Sequence, residues 1–201
     1  MTSKLSKKSI SSTVLMGLAT ITLSLGIYAP DAKATQNEPV AHLKEVERIN
    51  DKLDQLTDKA NTQLKKGLDN VVVQEPLNVQ GDKLELSMNV EDISTKAVQQ
   101  KKFNAKVKNT TPVFGFAHEV SGKFTYEKGK LKSSSYDAYL TGVFYSKSHK
   151  TKQHKLDPSV WEIRSRGTFK ALKYTPVEYS SRVDVGLYGS GDYRVLKAKI
   201  N

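Results

Sequence analysis

Apolar residues recur with the period of an α-helix between residues 40 and 66. They follow one another at steps of three or four residues, and charged residues fill the positions between them. The apolar stripe consists of Val46, Ile49, Leu53, Leu56 and Ala60. Lys65, Lys66 and Gly67 are typical of a helix C-terminus. The pattern predicts an amphipathic helix that packs on its own domain, with a dimerising or partner-docking helix as the alternative.

After Gly67, apolar and polar residues alternate with a period of two, which predicts strands that bury one face. The clearest run is 114–126, and the turn sequences 127–130 and 189–192 end two of the strands. We count seven to eight strands and no second helix for a crossover between parallel strands. The predicted fold is therefore a mostly-β α+β protein, in which the N-terminal amphipathic helix precedes antiparallel strands.

Two architectures satisfy this order of elements. One is a β-sandwich or small barrel with the helix against it, and the other is a curved sheet wrapped on the helix. Several strands carry apolar residues on both faces, which favours the sandwich or barrel. We expect three segments, namely a secretory signal peptide (1–34), the amphipathic helix (35–69) and the antiparallel β domain (70–201), with the last two forming one globular unit.

The N-terminus predicts export. Lys4, Lys7 and Lys8 precede an uncharged apolar run at 14–29, and 32–34 is an A-x-A cleavage site. The run is shorter than the roughly 20 residues that span a bilayer, so cleavage is favoured over a retained signal anchor. We expect a secreted, extracellular protein that associates with the cell surface.

Composition excludes several kinds of chemistry. The 201 residues include no cysteine, so the chain has no thiol nucleophile, disulfide or Cys-ligated metal. It also lacks the sequence motifs of the nucleophile elbow, the phosphate-binding loop and the zinc proteases. We therefore expect no catalytic residue, no cofactor and no metal site.

Positive charge is concentrated in the middle of the chain. The net charge is +11 overall, and residues 101–155 hold 12 basic and 3 acidic residues, whereas residues 35–100 hold 8 and 12. The candidate polyanion-binding residues are Lys147, His149, Lys150, Lys152, His154, Lys155, Arg164 and Arg166. We interpret the first six as a polar loop and the two arginines as one face of the next strand. The alternative is that these lysines only keep the protein soluble.

The sequence favours a small exported binding protein, without catalysis, that associates with the anionic cell envelope. The expected partners are an anionic wall polymer or lipid headgroups, with a protein partner or self-association through helix 40–66 as a further option. Nucleic acid is disfavoured because export removes the protein from it.

Two other functions stay open at this point. A membrane-active or antibacterial protein would use the 114–145 hairpin. A secreted hydrolase would combine His118 with dispersed carboxylates, for which the candidates are Asp137, Glu162, Glu178 and Asp184. His118 lies on the apolar parity of its strand, so it is either a buried core residue or a functional one.

Overall fold

The computed structural model describes residues 38–112, 114–143, 145–171 and 178–201. The predicted signal peptide, residues 1–34, lies outside them. The described chain forms one helix, α1 (Glu38–Lys65), followed by nine antiparallel strands. The strands are β1 (Asn70–Pro76), β2 (Lys83–Asp92), β3 (Gln99–Asn109), β4 (Phe116–Glu127), β5 (Lys130–Thr141), β6 (Tyr145–Asp157), β7 (Val160–Ala171), β8 (Tyr179–Tyr188) and β9 (Tyr193–Ile200). The predicted mostly-β α+β fold is confirmed.

The strands form two sheets, each a simple meander. The first sheet has the order β1-β2-β3-β4-β5 and the second has the order β6-β7-β8-β9. The predicted turn between β4 and β5 is confirmed, with φ of 49° at Lys128 and 76° at Gly129. Two successive positive φ values match the right-handed twist of the strands that the turn connects. The sheets do not close into a barrel, so the sandwich describes this protein better.

Helix α1 packs against β1 and β2 of the first sheet and β9 of the second. Ile49, Leu53, Leu56 and Ala60, four residues of the predicted stripe, are fully buried. The helix ends as its sequence predicts, because Gly67 has a φ of 83° and its amide donates to the Leu64 carbonyl at 2.9 Å. Its apolar stripe is therefore packed within its own domain.

Two asparagines of α1 complete the hydrogen bonding of β9. The Asn50 side chain donates to the Ile200 carbonyl at 2.9 Å and accepts from the Ile200 amide at 2.8 Å. Asn61 makes the same pair of bonds with Val195, at 2.7 and 3.1 Å. Three turns of helix and five residues of strand both span roughly 16 Å, so the two positions coincide. The helix therefore covers a strand edge that would otherwise be open.

A bulge makes this match possible. Residues five apart in a regular strand present their backbone groups to opposite sides. The register between β8 and β9 shifts between Asp184 and Val185, whose partners are Lys197 and Val195. The extra residue, Leu196, reverses the alternation, so Val195 and Ile200 both turn their amide and carbonyl toward the helix.

Strand β6 is the main departure from the sequence analysis, which interprets 147–155 as a loop. The segment pairs with β7 along its length, from Tyr145 opposite Ala171 to Asp157 opposite Val160. It shows no apolar alternation because it is an edge strand whose side chains are mostly exposed. Lysines on an edge strand also oppose pairing with a second chain.

Candidate functional site

Strands β6 and β7 carry the eight candidate polyanion-binding residues, but on two different sides. Successive residues of a strand point to opposite faces, and the buried residues of β7 have odd numbers. Five candidates therefore lie on the outer face of the second sheet: Lys150, Lys152, His154, Arg164 and Arg166. The other three, Lys147, His149 and Lys155, have the opposite parity. The structure thus divides the predicted set.

The three candidates on the inner parity have local roles or contacts. The Lys147 Nζ donates to the carbonyl of Gly142 at 2.9 Å. The Lys155 Nζ lies 4.3 Å from the centroid of the Trp161 ring, within the range of a cation–π contact. His149 Nδ1 is 3.3 Å from Thr151 Oγ1, and His154 lies on the other face of the strand. The side chains of His149 and His154 therefore lie on opposite faces of β6.

The register of the second sheet adds basic residues from β8 and β9 to its outer face. Lys150 lies opposite Arg166, Arg166 opposite Arg182, and Arg182 opposite Lys199. These four residues, which we call the cation row, run across all four strands of the sheet. Neighbouring strands are about 4.8 Å apart, so the row is about 14 Å long.

A second row lies two residues along each strand. It contains Lys152, Arg164, Asp184 and Lys197 in adjacent register positions. A shallow depression of about 240 Å³ lies over the two rows. Its lining consists of Lys150, Lys152, His154, Arg164, Ser165, Arg166, Arg182 and Asp184. Five of these eight residues are candidates from the sequence, which the fold brings together with three others.

Few acidic residues offset this charge. The outward positions of the second sheet hold nine bases, which are Lys150, Lys152, Arg164, Arg166, Lys170, Arg182, Arg194, Lys197 and Lys199. They hold three acids, Asp157, Glu162 and Asp184. Glu162 and Asp184 are each engaged by an arginine of their own strand, at 2.5 Å for both Arg164–Glu162 and Arg182–Asp184. The hydrogen bond from Arg182 to Asp184 raises the pKa of that guanidinium.

The remaining cations of the row have no counter-charge within the described chain. In those residues Lys150, Arg166 and Lys199 form no ion pair, although each faces another base across the ladder. Like charges directly opposite one another destabilise a sheet. The row is therefore an arrangement that folding alone does not favour, and that an external anion would neutralise.

His118 lies between the two sheets and is fully buried. Its Nδ1 is 2.8 Å from Ser181 Oγ and its Nε2 is 2.9 Å from Ser165 Oγ. Burial, together with a smaller contribution from the charge of His149, lowers the pKa of His118 to about 3. A neutral imidazole thus joins β4 of the first sheet to β7 and β8 of the second. Both ring nitrogens are occupied by serine hydroxyls in a place that solvent does not reach.

The carboxylates considered for hydrolysis lie apart from His118. Asp137 is on the outer face of the first sheet, whereas Glu162 and Asp184 are on the outer face of the second. Glu178 is exposed immediately before β8. Asp184 and Glu162 are held by arginines, and neither hydrogen-bonds to the histidine. The fold therefore places the carboxylates and the imidazole in different layers.

The members of this face that sequence reasoning missed are Lys170, Arg182, Arg194, Lys197 and Lys199. The signal was present in the alternation, because Arg182 precedes buried Val183, while Lys197 and Lys199 flank buried Ala198. Alternation assigns each residue to a face of its own strand. It does not give the register that places the residues of four strands side by side.

Comparison with known proteins gives no relative from which a function could be transferred. No protein-family model matches the chain, and neither a curated protein nor a solved structure is similar to it. Within the described ranges, no helix is both long and apolar enough to cross a membrane. The outer face of the second sheet is therefore the feature from which a function has to be argued.

Proposed function

We propose that this protein binds polyanions through the outer face of the second sheet. The observation that carries the proposal is the cation row, in which four bases stand side by side and three have no acidic partner among the residues that the structure describes. Clustered charge of one sign attracts a counter-ion and raises its association rate. The row is composed of lysine and arginine, which bind phosphate, sulfate and carboxylate groups.

The predicted export of the chain suggests where such an anion would be found. An exported protein meets anionic wall polymers and lipid headgroups rather than nucleic acid. The binding face is built from regular strands, so its charges are presented on a preformed surface that needs no folding on binding. No catalytic step is part of this proposal.

The test compares two variants that lose the same number of positive charges from opposite sides of the molecule. One replaces Lys150, Lys152, Arg166, Lys197 and Lys199 of the second sheet with Gln. The other replaces Lys83, Lys102, Lys106, Lys108 and Lys123, which lie on the outer face of the first sheet, with Gln. Arg164 and Arg182 are kept, so that neither Glu162 nor Asp184 loses its partner.

Binding is measured for linear polyphosphate and for vesicles that contain phosphatidylglycerol, at about 50 mM and about 500 mM NaCl. We expect the wild type to bind at least one probe at low salt and to release it at high salt. The second-sheet variant should bind at least about 30-fold more weakly, and the first-sheet variant within about 3-fold of wild type. Equal losses in both variants would show that net charge rather than this face governs binding.

A further inference from the structure

We infer that the ligand of this face is a linear polyanion that lies along the cation row, across the strands, rather than a flat anionic bilayer. The inference rests on the proposed function and names the class of ligand. It follows from how the charges are arranged, which the total charge of the face does not reveal.

The cation row is the longest uninterrupted line of bases on the face. Lys150, Arg166, Arg182 and Lys199 follow one another at the strand spacing of about 4.8 Å. Along any one strand the next outward residue is about 7 Å away. Positive charge is therefore densest in the direction across the strands. This arrangement matches a linear polymer whose anionic groups follow one another in a single line.

The neighbours of the row define its two sides. On one side lie Ser148, Thr168 and Ser180, three adjacent hydroxyl residues. On the other side the second row is interrupted by Asp184, which is buried. A polymer in the row would meet hydroxyls on one flank and an interrupted line of three bases on the other, so the cation row offers the longest unbroken positive charge.

A bilayer would use the face differently. Peripheral membrane proteins insert apolar side chains between the headgroups in addition to their cations. The exposed apolar residues of this sheet, Leu156 and Leu196, lie beyond the second row and do not flank the cation row. A flat anionic surface would also attract all outward bases to a similar extent, whichever row they occupy.

The experiment removes two charges from the row or two from the remainder of the same face. The row variant is Arg166→Gln, Lys199→Gln. The flank variant is Lys170→Gln, Arg194→Gln, which removes one lysine and one arginine from the same face, has the same net charge and leaves both rows intact. Both keep Arg182, and thermal unfolding by circular dichroism verifies that each is folded.

Dissociation constants are measured with linear polyphosphate, and with phosphatidylglycerol vesicles as the bilayer probe. For polyphosphate we expect the row variant to bind at least about 10-fold more weakly than wild type and the flank variant no more than about 3-fold more weakly. Equal losses of polyphosphate affinity in the two variants would contradict the inference that the polymer binds along the cation row.

Wild-type binding to the vesicles without binding to polyphosphate would also overturn it and would assign the face to a membrane. If wild type binds neither probe at low salt, the proposed function itself fails, which is a result distinct from either of these.

Discussion

The two sheets of this sandwich present outer faces that differ sharply in charge, although both bury the same kind of apolar residues. The outward positions of the first sheet hold six bases, which are Lys83, Lys102, Lys106, Lys108, Lys123 and Lys130. They hold five acids, which are Glu85, Glu91, Glu119, Glu127 and Asp137. The net charge of that face is +1, whereas nine bases and three acids give the second face +6.

The pairing differs as much as the total. In the first sheet, four of the six bases stand opposite an acid across the ladder, as in Lys106–Glu119 at 3.5 Å and Lys102–Glu91 at 3.9 Å. Its like-charge contact among the described residues is a single pair, Lys102 opposite Lys123. In the second sheet, Arg166 stands between Lys150 and Arg182. Paired charges are what an ordinary solvated face requires, and rows of like charge are not. The difference is the basis on which we propose a binding role for the second face and not for the first.

The largest change in stability should come from His118, whose hydrogen bonds connect the first sheet to the second. His118 binds Ser165 and Ser181 as a neutral ring, with a pKa of about 3 in the folded protein and 6.5 as its ordinary value. The unfolded chain therefore binds the proton first. The stability that His118 contributes is complete above pH 6.5 and is lost as the pH falls toward 3.

We expect the free energy of unfolding to decrease by about 1.4 kcal/mol per pH unit below pH 6. Urea denaturation between pH 5 and pH 6.5 measures this slope, in a range where carboxylates such as Glu75 stay ionised. His118→Gln retains an amide for hydrogen bonding but does not titrate, so its slope should be close to zero. An unchanged slope in that variant would assign the acid sensitivity to other groups.

An effect confined to a single hydrogen-bonding position is expected where helix α1 covers the edge of the second sheet. Asn61→Asp keeps the shape of the side chain but loses the donor to the Val195 carbonyl. Because a second acceptor then faces that carbonyl, unfolding should become easier by about 1–3 kcal/mol. Asn61→Asp and Asn50→Asp should behave alike in urea denaturation. A change below about 0.5 kcal/mol in both would show that the helix covers this edge without needing these bonds.

The smallest effect compares the two outer faces directly. Arg166→Gln removes a base from a row of bases, so we expect it to stabilise the fold by up to about 0.5 kcal/mol while weakening polyanion binding. Lys106→Gln removes a base that faces Glu119 and should be neutral or destabilising by a similar amount. Thermal unfolding at low salt measures the two changes in stability, which should have opposite signs, and both changes should become smaller at about 1 M NaCl. If both variants changed stability in the same direction, the two faces would not differ in how their charges affect folding.

The sequence predicted local features well and long-range pairing poorly. The helix period, Gly67 at the helix end and the turn at 127–130 are each encoded within a few neighbouring residues, and the structure confirms all three. Strand β6 was missed because an exposed edge strand has no apolar alternation. Its identity depends on the hydrogen-bonding partner β7, which the sequence of β6 does not specify.

The order of elements, the buried parity of most strands and the excess of positive charge after residue 100 can all be read from the sequence. Which bases stand together depends on the register of the folded sheet. Lys150 and Lys199 are separated by 49 residues, yet they end the same row, because three ladders fix four strands in register. Charge attracts over distances comparable to that row, so the proposed binding face depends on side chains that no local pattern relates to one another.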